Sequence, residues 1–487
     1  MNWALAAACL VAAVPAGLRW LRIAQREHYL PWSAGRFRWK WWLSSPANKT
    51  LGVVEVVGIL GSIFHPLWGF VVPLAQVGPF GLSVRGVTSP LAWTSRLRRL
   101  AIVSGLIFLA GITIGLVRDE AIVIVGPLFL LPLIVDIALR VLAPVERRLG
   151  GQWVGKARAK LEAIGAEVVA ITGSYGKTTT KNYVAHLVGA SRRTVASPAS
   201  FNNRMGLARA INENLVPGTE VFVAEMGTYG PGEIAELCEW IPPKVAAMVA
   251  IGPVHLERFK TVENIVRAKS EILDRAEVGV ICVDHPLLAD LARERASTMR
   301  IIEVSTGDGI VVEGRRVADV PEGVFPANLA VALGICRALD IEIEEVLARI
   351  EDLPGAEHRQ SVITAGGGFT IVDNTFNSNP AGARSALEAL AGAGAGGKTA
   401  VITPGMIELG PVQGKENMEF AAAAAAQVDH LVIVGRTNRF HLLEGAAKGR
   451  ASVTVVDSRD AAVEWARANL GPGDAVLYEN DLPDHYP

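Results

Sequence analysis

Residues 3–23 (WALAAACLVAAVPAGLRWLRI), 100–117 and 121–142 are apolar runs, each long enough to cross a bilayer as a helix. Segments of this kind constrain a fold strongly, because in lipid every backbone hydrogen bond must be satisfied internally. A secretory leader is the competing reading of the first run, but no basic residue precedes it, so a membrane helix is expected. Only "RDE" (118–120) separates the other two runs, the spacing of a helical hairpin. Residues 51–82 are apolar but broken by Gly58, Gly61, Pro66, Gly69 and Pro73, and read as one kinked span, a short hairpin or a re-entrant segment. The stretches 22–42 and 96–99 are rich in Arg and Lys, which places both in the cytoplasm. Residues 51–82 must then leave and return to the same side, and the hairpin delivers the chain to the cytoplasm at Arg147 and Arg148. Four simple spans would put 22–42 outside but also leave the remainder inside. The expectation is a multi-pass protein of the cell membrane whose residues after 150 face the cytoplasm.

Eight of the 11 tryptophans precede residue 100, and Trp39, Trp41 and Trp42 alternate with Arg36, Arg38 and Lys40. This reads as an interfacial aromatic belt with basic anchors, or as a site for an anionic lipid headgroup. Glu55, His65 and Asp136 fall at membrane depth, where a charge needs a partner. Arg140, one turn after Asp136, is the expected partner for it; Glu55 and His65 have none in sight. A chain of 487 residues needs more than one core, and the formal net charge of −1 offers no general attraction to nucleic acid. The four cysteines are scattered, which excludes a zinc knuckle or disulfide scaffold and fits a reducing compartment.

From residue 151 the pattern becomes alternating strand and helix. "ITGSYGKTTTK" (171–181) joins an apolar strand to a helix through Gly173, Ser174 and Gly176, with Lys177, Thr178 and Thr179 opening the helix. Glycines let backbone N–H groups approach phosphate oxygens, the helix N-terminus adds its dipole, Lys177 adds charge, and Thr178 supplies a hydroxyl for Mg²⁺. Glu225 and His255 each follow an apolar strand, at the sheet edge where ligands of α/β folds bind. Singly, Glu225 could be a strand-end carboxylate and His255 a packed imidazole. Downstream of a phosphate loop, a Mg²⁺–ATP site explains both.

These residues resemble the Mur ligase family, most closely the branch that adds D-alanyl-D-alanine, over about residues 155–480. "NNRMG" (202–206), "PGEI" (231–234), "IGPVHLERF" (251–259) and "AKSEI" (268–272) are similar to the family's asparagine pair, metal-glutamate turn, histidine segment and lysine segment. The resemblance implies an α/β central ATP-binding domain and a smaller doubly wound C-terminal domain, here preceded by transmembrane helices. The expected division is 1–150, 151–355 and 356–487. It also implies ATP and Mg²⁺ as cofactors, with Lys177 and Thr178 on the phosphates. Thr178, Glu225 and His255 would ligate metal, and Lys269 would be carbamoylated to help place a second metal. Asn203, with Asn202, would sit near the transferred phosphate. Asn328 in "FPANLAVALGICRAL" (325–339), Arg359 in "LPGAEHRQSV" (353–362) and Asp373 in "IVDNTFNSNP" (371–380) would contact the nucleotide. The family often has paired acids at this last place; here Asp373 precedes Asn374, and either position could be the contact.

Both substrate-recognising ends depart from the family. Membrane spans replace the domain that holds the UDP-sugar, and "YENDLPDHYP" (478–487) puts Glu479 where the family has a lysine. "TPGMIELG" (403–410) keeps the family's Met-x-Glu-Leu-Gly but not the Gly-Asp before it. The resemblance implies a ligase that joins an amino acid or dipeptide amine to a carboxylate acceptor through an acyl phosphate. A lipid-linked precursor or cell-envelope polymer suits the membrane better than a free UDP-sugar. Alternatives are a poly-amino-acid synthetase of the same fold, an ATP-driven transport or gating protein, and a scaffold that has lost catalysis. The spans offer few polar residues for a transport pathway.

Overall fold

The computed structural model describes residues 1–86, 90–198, 200–321, 323–354, 361–364, 368–375, 378–393 and 396–487. The N-terminal part is a bundle of α1 (Asn2–Arg26), α2 (Ser33–Leu43), α3 (Pro46–Gly61), α4 (Pro66–Gly69), α5 (Val71–Ala75), α6 (Ser95–Arg118), α7 (Ala121–Phe129) and α8 (Leu131–Ile164). Two helices, α1 and α6, are long and apolar enough to cross a membrane, and α7 with α8 makes a third span if the bent pair counts as one. The bend there is 67°. Pro132 explains it, since its ring lacks an N–H and collides with the carbonyl one turn back. The helix α8 then continues without a break through residue 150.

Bundle side chains divide into two sets. Leu5, Cys9, Leu97, Ile124, Leu128 and Val135 form a buried core, whereas Val11, Val14, Leu106, Leu109, Ile114 and Val117 point outward. The outward set is what a lipid-facing surface requires.

Residues 46–75 leave the bundle and come back. The 16-residue α3 is about 24 Å long, short of the ~30 Å hydrocarbon core. The chain turns at Ser62–His65 and folds back, with Gly61 against Trp68 and Gly58 against Val71. Asn48 closes the excursion by accepting from Phe80 N–H at 2.8 Å and donating to its carbonyl at 3.1 Å. The chain thus folds back on itself, as either the short hairpin or the re-entrant segment among the expected alternatives would. Arg19 secures the returning strand of chain with hydrogen bonds to the carbonyls of Gln76, Val77, Gly78 and Leu82.

Three polar expectations are corrected. Asp136 does not pair with Arg140 but accepts from Ala34 N–H (3.2 Å) and Gly35 N–H (2.8 Å) at the start of α2. The unpaired amides of a helix N-terminus are a better partner for a buried carboxylate than a guanidinium one turn away, and Arg140 lies over the Trp32 ring instead. Glu55 is partnered, by Arg38 at 3.1 Å and by Gln76, while His65 Nδ1 accepts from Leu67 N–H. The charges around the tryptophans are not free for a lipid headgroup. Arg36 binds Glu27, Arg38 binds Glu55, and Lys40 binds Glu257 at 3.2 Å.

The rest of the chain is α/β. The first sheet contains β1 (Glu167–Thr172), β2 (Thr194–Ala196), β3 (Val221–Glu225), β4 (Val245–Met248), β5 (Val278–Cys282), β6 (Arg300–Ser305), β7 (Ile310–Val312) and β8 (Arg315–Ala318), in the order β2-β3-β1-β4-β5-β6-β7-β8. It is parallel from β2 to β6, and its central strands are buried on both faces, which suits their unbroken Val/Ala/Ile content. The second sheet holds β9 (Ser361–Thr364), β10 (Thr370–Asn374), β11 (Thr399–Thr403), β12 (His430–Val434), β13 (Ser452–Val456) and β14 (Ala475–Glu479), ordered β13-β12-β11-β14-β10-β9. All its pairings are parallel except β9 with β10. The register of the first sheet sets Ile171 beside Glu225 and Thr172 beside Met248, so the phosphate loop emerges between the ends of β3 and β4.

Candidate active site

The loop after β1 turns on Gly176, whose φ of 77° favours glycine and whose Cβ, if present, would lie 2.0 Å from Asn328 Oδ1. This lets α9 (Lys177–Val188) begin directly against the sheet edge. Ser174 N–H bonds Ala250 O at 2.6 Å and its hydroxyl bonds Gly252 O at 3.2 Å, which ties the loop to the segment after β4. Lys177 Nζ donates to Gly173 O at 2.7 Å.

Glu225, the last residue of β3, is buried and surrounded by donors. Its Oε2 accepts from Thr178 Oγ1 (2.9 Å) and pairs with Lys181 Nζ (3.3 Å), and its Oε1 accepts from Asn202 Nδ2 (3.1 Å). Burial works against its charge, but Lys177 and Lys181 with these hydrogen bonds outweigh it and hold the carboxyl below its usual range. Asn203 caps α10 (Arg204–Asn214) by accepting from Gly206 N–H.

His255 starts the short helix Leu256–Phe259 in the left-handed region (φ 56°), and its Nδ1 meets the carboxylate of Glu408 from the C-terminal part of the chain. Glu408 also pairs with Arg258 at 3.2 Å. Among the described residues, Nε2 of His255 has no hydrogen-bond partner. That leaves it as the nitrogen able to face a metal, in the manner of metal-binding histidines oriented by a carboxylate. Lys269, near the end of helix Val262–Ser270, is buried and makes no hydrogen bond or ion pair among the described residues. Burial and the charge of Lys177 push its amine well below the ordinary lysine range, against the pull of Glu225.

These groups share one cavity of about 510 Å³, lined by Gly173, Ser174, Gly176, Lys177, Thr178, Asn202, Asn203, Glu225, His255 and Lys269. Thr178 and Glu225 provide hard oxygen donors in contact with each other, the donor type Mg²⁺ prefers. The described residues contain no cluster of three or more His, Cys, Asp or Glu side chains gathered around one point. Thr179 is buried in α9 and does not line the cavity; nor does Asn328, which backs Gly176. Asp373 accepts from the N–H and hydroxyl of Thr375, and Asn374 is held by Glu479 at 2.7 Å. Arg359 lies outside the described residues.

Three groups of residues at or behind the cavity escaped the sequence reading. Lys181, in the same "KTTTK" as Lys177, is a buried partner of Glu225. Glu408 sits inside the noted Met-x-Glu-Leu-Gly, with no local sign of its role. Arg26, Glu27 and His28 at the end of α1, and Asp481, Leu482, Pro483, His485 and Tyr486 of the C-terminal tail, complete the walls.

Two family models match this chain: the Mur ligase middle domain over residues 171–325, and the Mur ligase, glutamate ligase domain over 358–478. The chain belongs to the Mur ligase family and is an ATP-dependent ligase. Among similar proteins, the UDP-N-acetylmuramoyl-tripeptide–D-alanyl-D-alanine ligase of Mycobacterium leprae is 31% identical over 375 residues, covering 66% of this chain and 72% of that protein. The enzyme of the same name from Bacillus subtilis is 26% identical, covering 66% and 75%. The MurF ligase of Thermotoga maritima in complex with ADP matches with a TM-score of 0.55 at 25% identity over 68% of this chain and 80% of its own. A MurF structure from Acinetobacter baumannii shares the fold with a TM-score of 0.57 at 24% identity, over 68% and 77%.

Proposed function

We propose that this ligase works at the membrane surface. It activates a substrate carboxylate as an acyl phosphate and joins it to the amine of an amino acid or a D-alanyl-D-alanine-like dipeptide, on a cell-envelope precursor of the peptidoglycan kind. The observation that carries this reading is the shared cavity. Phosphate-loop residues and the end of an apolar, span-length helix line the same space. The relatives' names supply the substrate type, and the helices in place of a soluble leading domain favour a lipid-linked or membrane-proximal acceptor. The working division is a membrane bundle over 1–150, an ATP-binding domain over 151–355 and a closing domain over 356–487.

In the first step the substrate carboxylate oxygen attacks the γ-phosphorus of ATP, the bond to the β-phosphate oxygen breaks, and ADP leaves. In the second the amine attacks the acyl carbon, phosphate departs, and a proton is lost from nitrogen as the amide forms. Lys177 and the loop's N–H groups offset the repulsion between carboxylate and triphosphate. Mg²⁺, held by Thr178 and Glu225 with His255 and a carbamoylated Lys269, would supply further charge neutralisation. The lowered basicity of Lys269 favours the neutral amine, the form that combines with carbon dioxide. Asn203 is assigned to the transferred phosphate; Ser174 and Thr179 to the loop; and Asn328, Arg359 and Asp373 to the nucleoside. The Glu408 contact to His255 brings the C-terminal part over the site, which keeps water from the acyl phosphate.

The test is phosphate release by the purified full chain in detergent with ATP and Mg²⁺, against D-alanyl-D-alanine, single amino acids and UDP-linked or lipid-linked peptide acceptors. Release that needs one amine and one acceptor, a new amide by mass spectrometry, and loss of both in Lys177→Ala are expected. Release indifferent to every pair would favour an ATPase that drives transport, and would sink the ligase mechanism.

A further inference from the structure

Arg26 is the last residue of α1, a helix of membrane-spanning length, and its half-buried side chain lines the cavity that holds the phosphate loop. It makes no hydrogen bond or ion pair among the described residues. The arginines around it are all committed: Arg22 to Asp484 at 2.9 Å, Arg36 to Glu27, and Arg258 to Glu408 at 3.2 Å and to Glu27 at 3.5 Å. The neighbouring carboxylate, Glu27, also takes His485 at 3.1 Å, so it is saturated by cations other than Arg26. Asp484, whose charge reaches Arg26, gives its ion pair to Arg22, so this partly desolvated guanidinium has no directly bonded anion, a costly state, and it faces the space a substrate must enter.

The wall beside it is aromatic. His28 stacks on Tyr229 (5.5 Å between centroids, 24° between planes), and Tyr229 meets His255 edge-on at 5.5 Å. This row of rings runs from the end of the membrane helix to the histidine proposed for the metal.

We infer that Arg26 binds an anionic group, a carboxylate or a phosphate, on the substrate that the ligase uses besides ATP. The inference rests on the ligase reading above and adds to it a recognition point supplied by the membrane bundle. A guanidinium fork suits either oxyanion, since both accept two parallel N–H bonds. Placed where α1 ends, it would meet that anion at the level of the membrane surface. Phosphate would come from a lipid pyrophosphate, and carboxylate from the amino-acid or dipeptide substrate.

The experiment compares the full-length protein in detergent with Arg26→Ala and Arg26→Lys. Binding is measured calorimetrically for four probes: D-alanyl-D-alanine, its methyl ester, a short isoprenyl pyrophosphate, and the corresponding isoprenyl alcohol. Each is measured with and without a non-hydrolysable ATP analogue and Mg²⁺. Arg26→Ala should weaken one of the anionic probes by about tenfold or more, the range for a hydrogen bond between charged groups. Its uncharged counterpart should bind all proteins alike, and Arg26→Lys should fall between. Loss for the dipeptide assigns a carboxylate; loss for the pyrophosphate assigns a lipid phosphate. Affinity for the ATP analogue should change less than twofold.

Absence of any Arg26-dependent binding, whether because no anionic probe binds or because the variants bind them equally, overturns the inference. So does an equal loss of affinity for the ATP analogue, which would make Arg26 part of the nucleotide site. If the wild-type protein fails to bind the analogue at all, the ligase reading fails alone, and the measurements without nucleotide still decide the role of Arg26.

Discussion

Glu408 and Glu479 are carboxylates of the C-terminal part of the chain whose surroundings push them in opposite directions. Burial disfavours the charge of Glu408, yet the hydrogen bond and charge of His255, with Arg258 and Arg36, outweigh it and bring the pKa to about 2. A pKa depressed on folding adds stability above the unfolded value near 4.5, and this is lost as pH falls through about 2. Glu408→Gln should therefore flatten the acid limb of a thermal-stability profile below pH ~4.5, by up to about 3 kcal/mol. The same variant should lower kcat by roughly 10–100-fold, the usual cost of freeing a metal-binding histidine, which is the role proposed for His255. Unchanged kcat would remove the orienting role. Glu479 behaves the other way. It is almost fully buried between Asn374 and Ser378, and burial raises its pKa to about 7 against both hydrogen bonds. A raised carboxyl pKa destabilises the fold progressively as pH climbs from about 4.5 through about 7. Glu479→Gln should stabilise the protein above pH 7 by up to about 3 kcal/mol and do nothing below pH 4.5. Melting curves in detergent at pH 5 and pH 8 check the sign, and equal shifts at both would refute it. Of the two residues, Glu479 stood out in the sequence as a departure from the family's lysine. Glu408 did not, because its partner lies 153 positions earlier and only the closed arrangement of the two sheets brings them together.

At the scale of elements, glycine spacing decides how α6 meets α7. A Cβ on Gly115 would stand 2.6 Å from Ile124 N and one on Gly111 2.5 Å from the Pro127 ring, whereas one on Gly105 meets nothing within 4 Å. Small residues four apart let helix backbones approach. Gly115→Ala should cost about 1–3 kcal/mol, the range for overpacking, and Gly105→Ala should be neutral or slightly stabilising. Midpoints of thermal unfolding in detergent distinguish them; equal midpoints would mean that α6 and α7 separate freely. Elements of this kind were readable in advance. The apolar runs gave α1, α6 and α7–α8, Gly173 to Thr178 gave the loop and α9, and the expected doubly wound C-terminal fold appears as the second sheet. The signals behind them are local, set by a few neighbouring residues. The excursion through α3–α5 stayed open among three readings because Gly58, Gly61 and Pro66 mark a break without saying which way the chain goes. Hydrogen bonds between Asn48 and Phe80, 32 residues apart, bring the two ends of that excursion together.

For the molecule as a whole, the question is what fastens a ligase to the N-terminal helical bundle. Besides the continuous α8, the C-terminal tail is inserted at the junction. Tyr486 is buried with Phe37 and other bundle side chains, and His485 O accepts from Trp41 Nε1 at 2.9 Å. Asp484 pairs at 2.9 Å with Arg22, which is fully buried on α1. Nothing in the sequence announces this, since 462 positions separate the two and each charge looks like an ordinary surface residue. A buried ion pair adds little compared with an apolar pair of equal volume, but breaking it leaves one charge stranded, at about 3–5 kcal/mol. Asp484→Asn should therefore detach the tail, whereas Arg22→Leu combined with Asp484→Leu should restore most of the attachment. Limited proteolysis after the last strand measures this: the single variant should be cut much faster than wild type, and the double variant close to the wild-type rate. Because the tail also walls the cavity, the single variant should lose amide formation together with its protection, and the double variant should regain both. Proteolysis of Asp484→Asn at the wild-type rate would show that the tail is held by its other contacts, the apolar ones and those of His485 with Trp41 and Glu27, without the ion pair. In that case the link between the N-terminal helices and the candidate active site rests on the carboxylate network of Glu27, Glu257 and Glu408, where Arg36, Lys40 and Arg258 join the three parts of the chain.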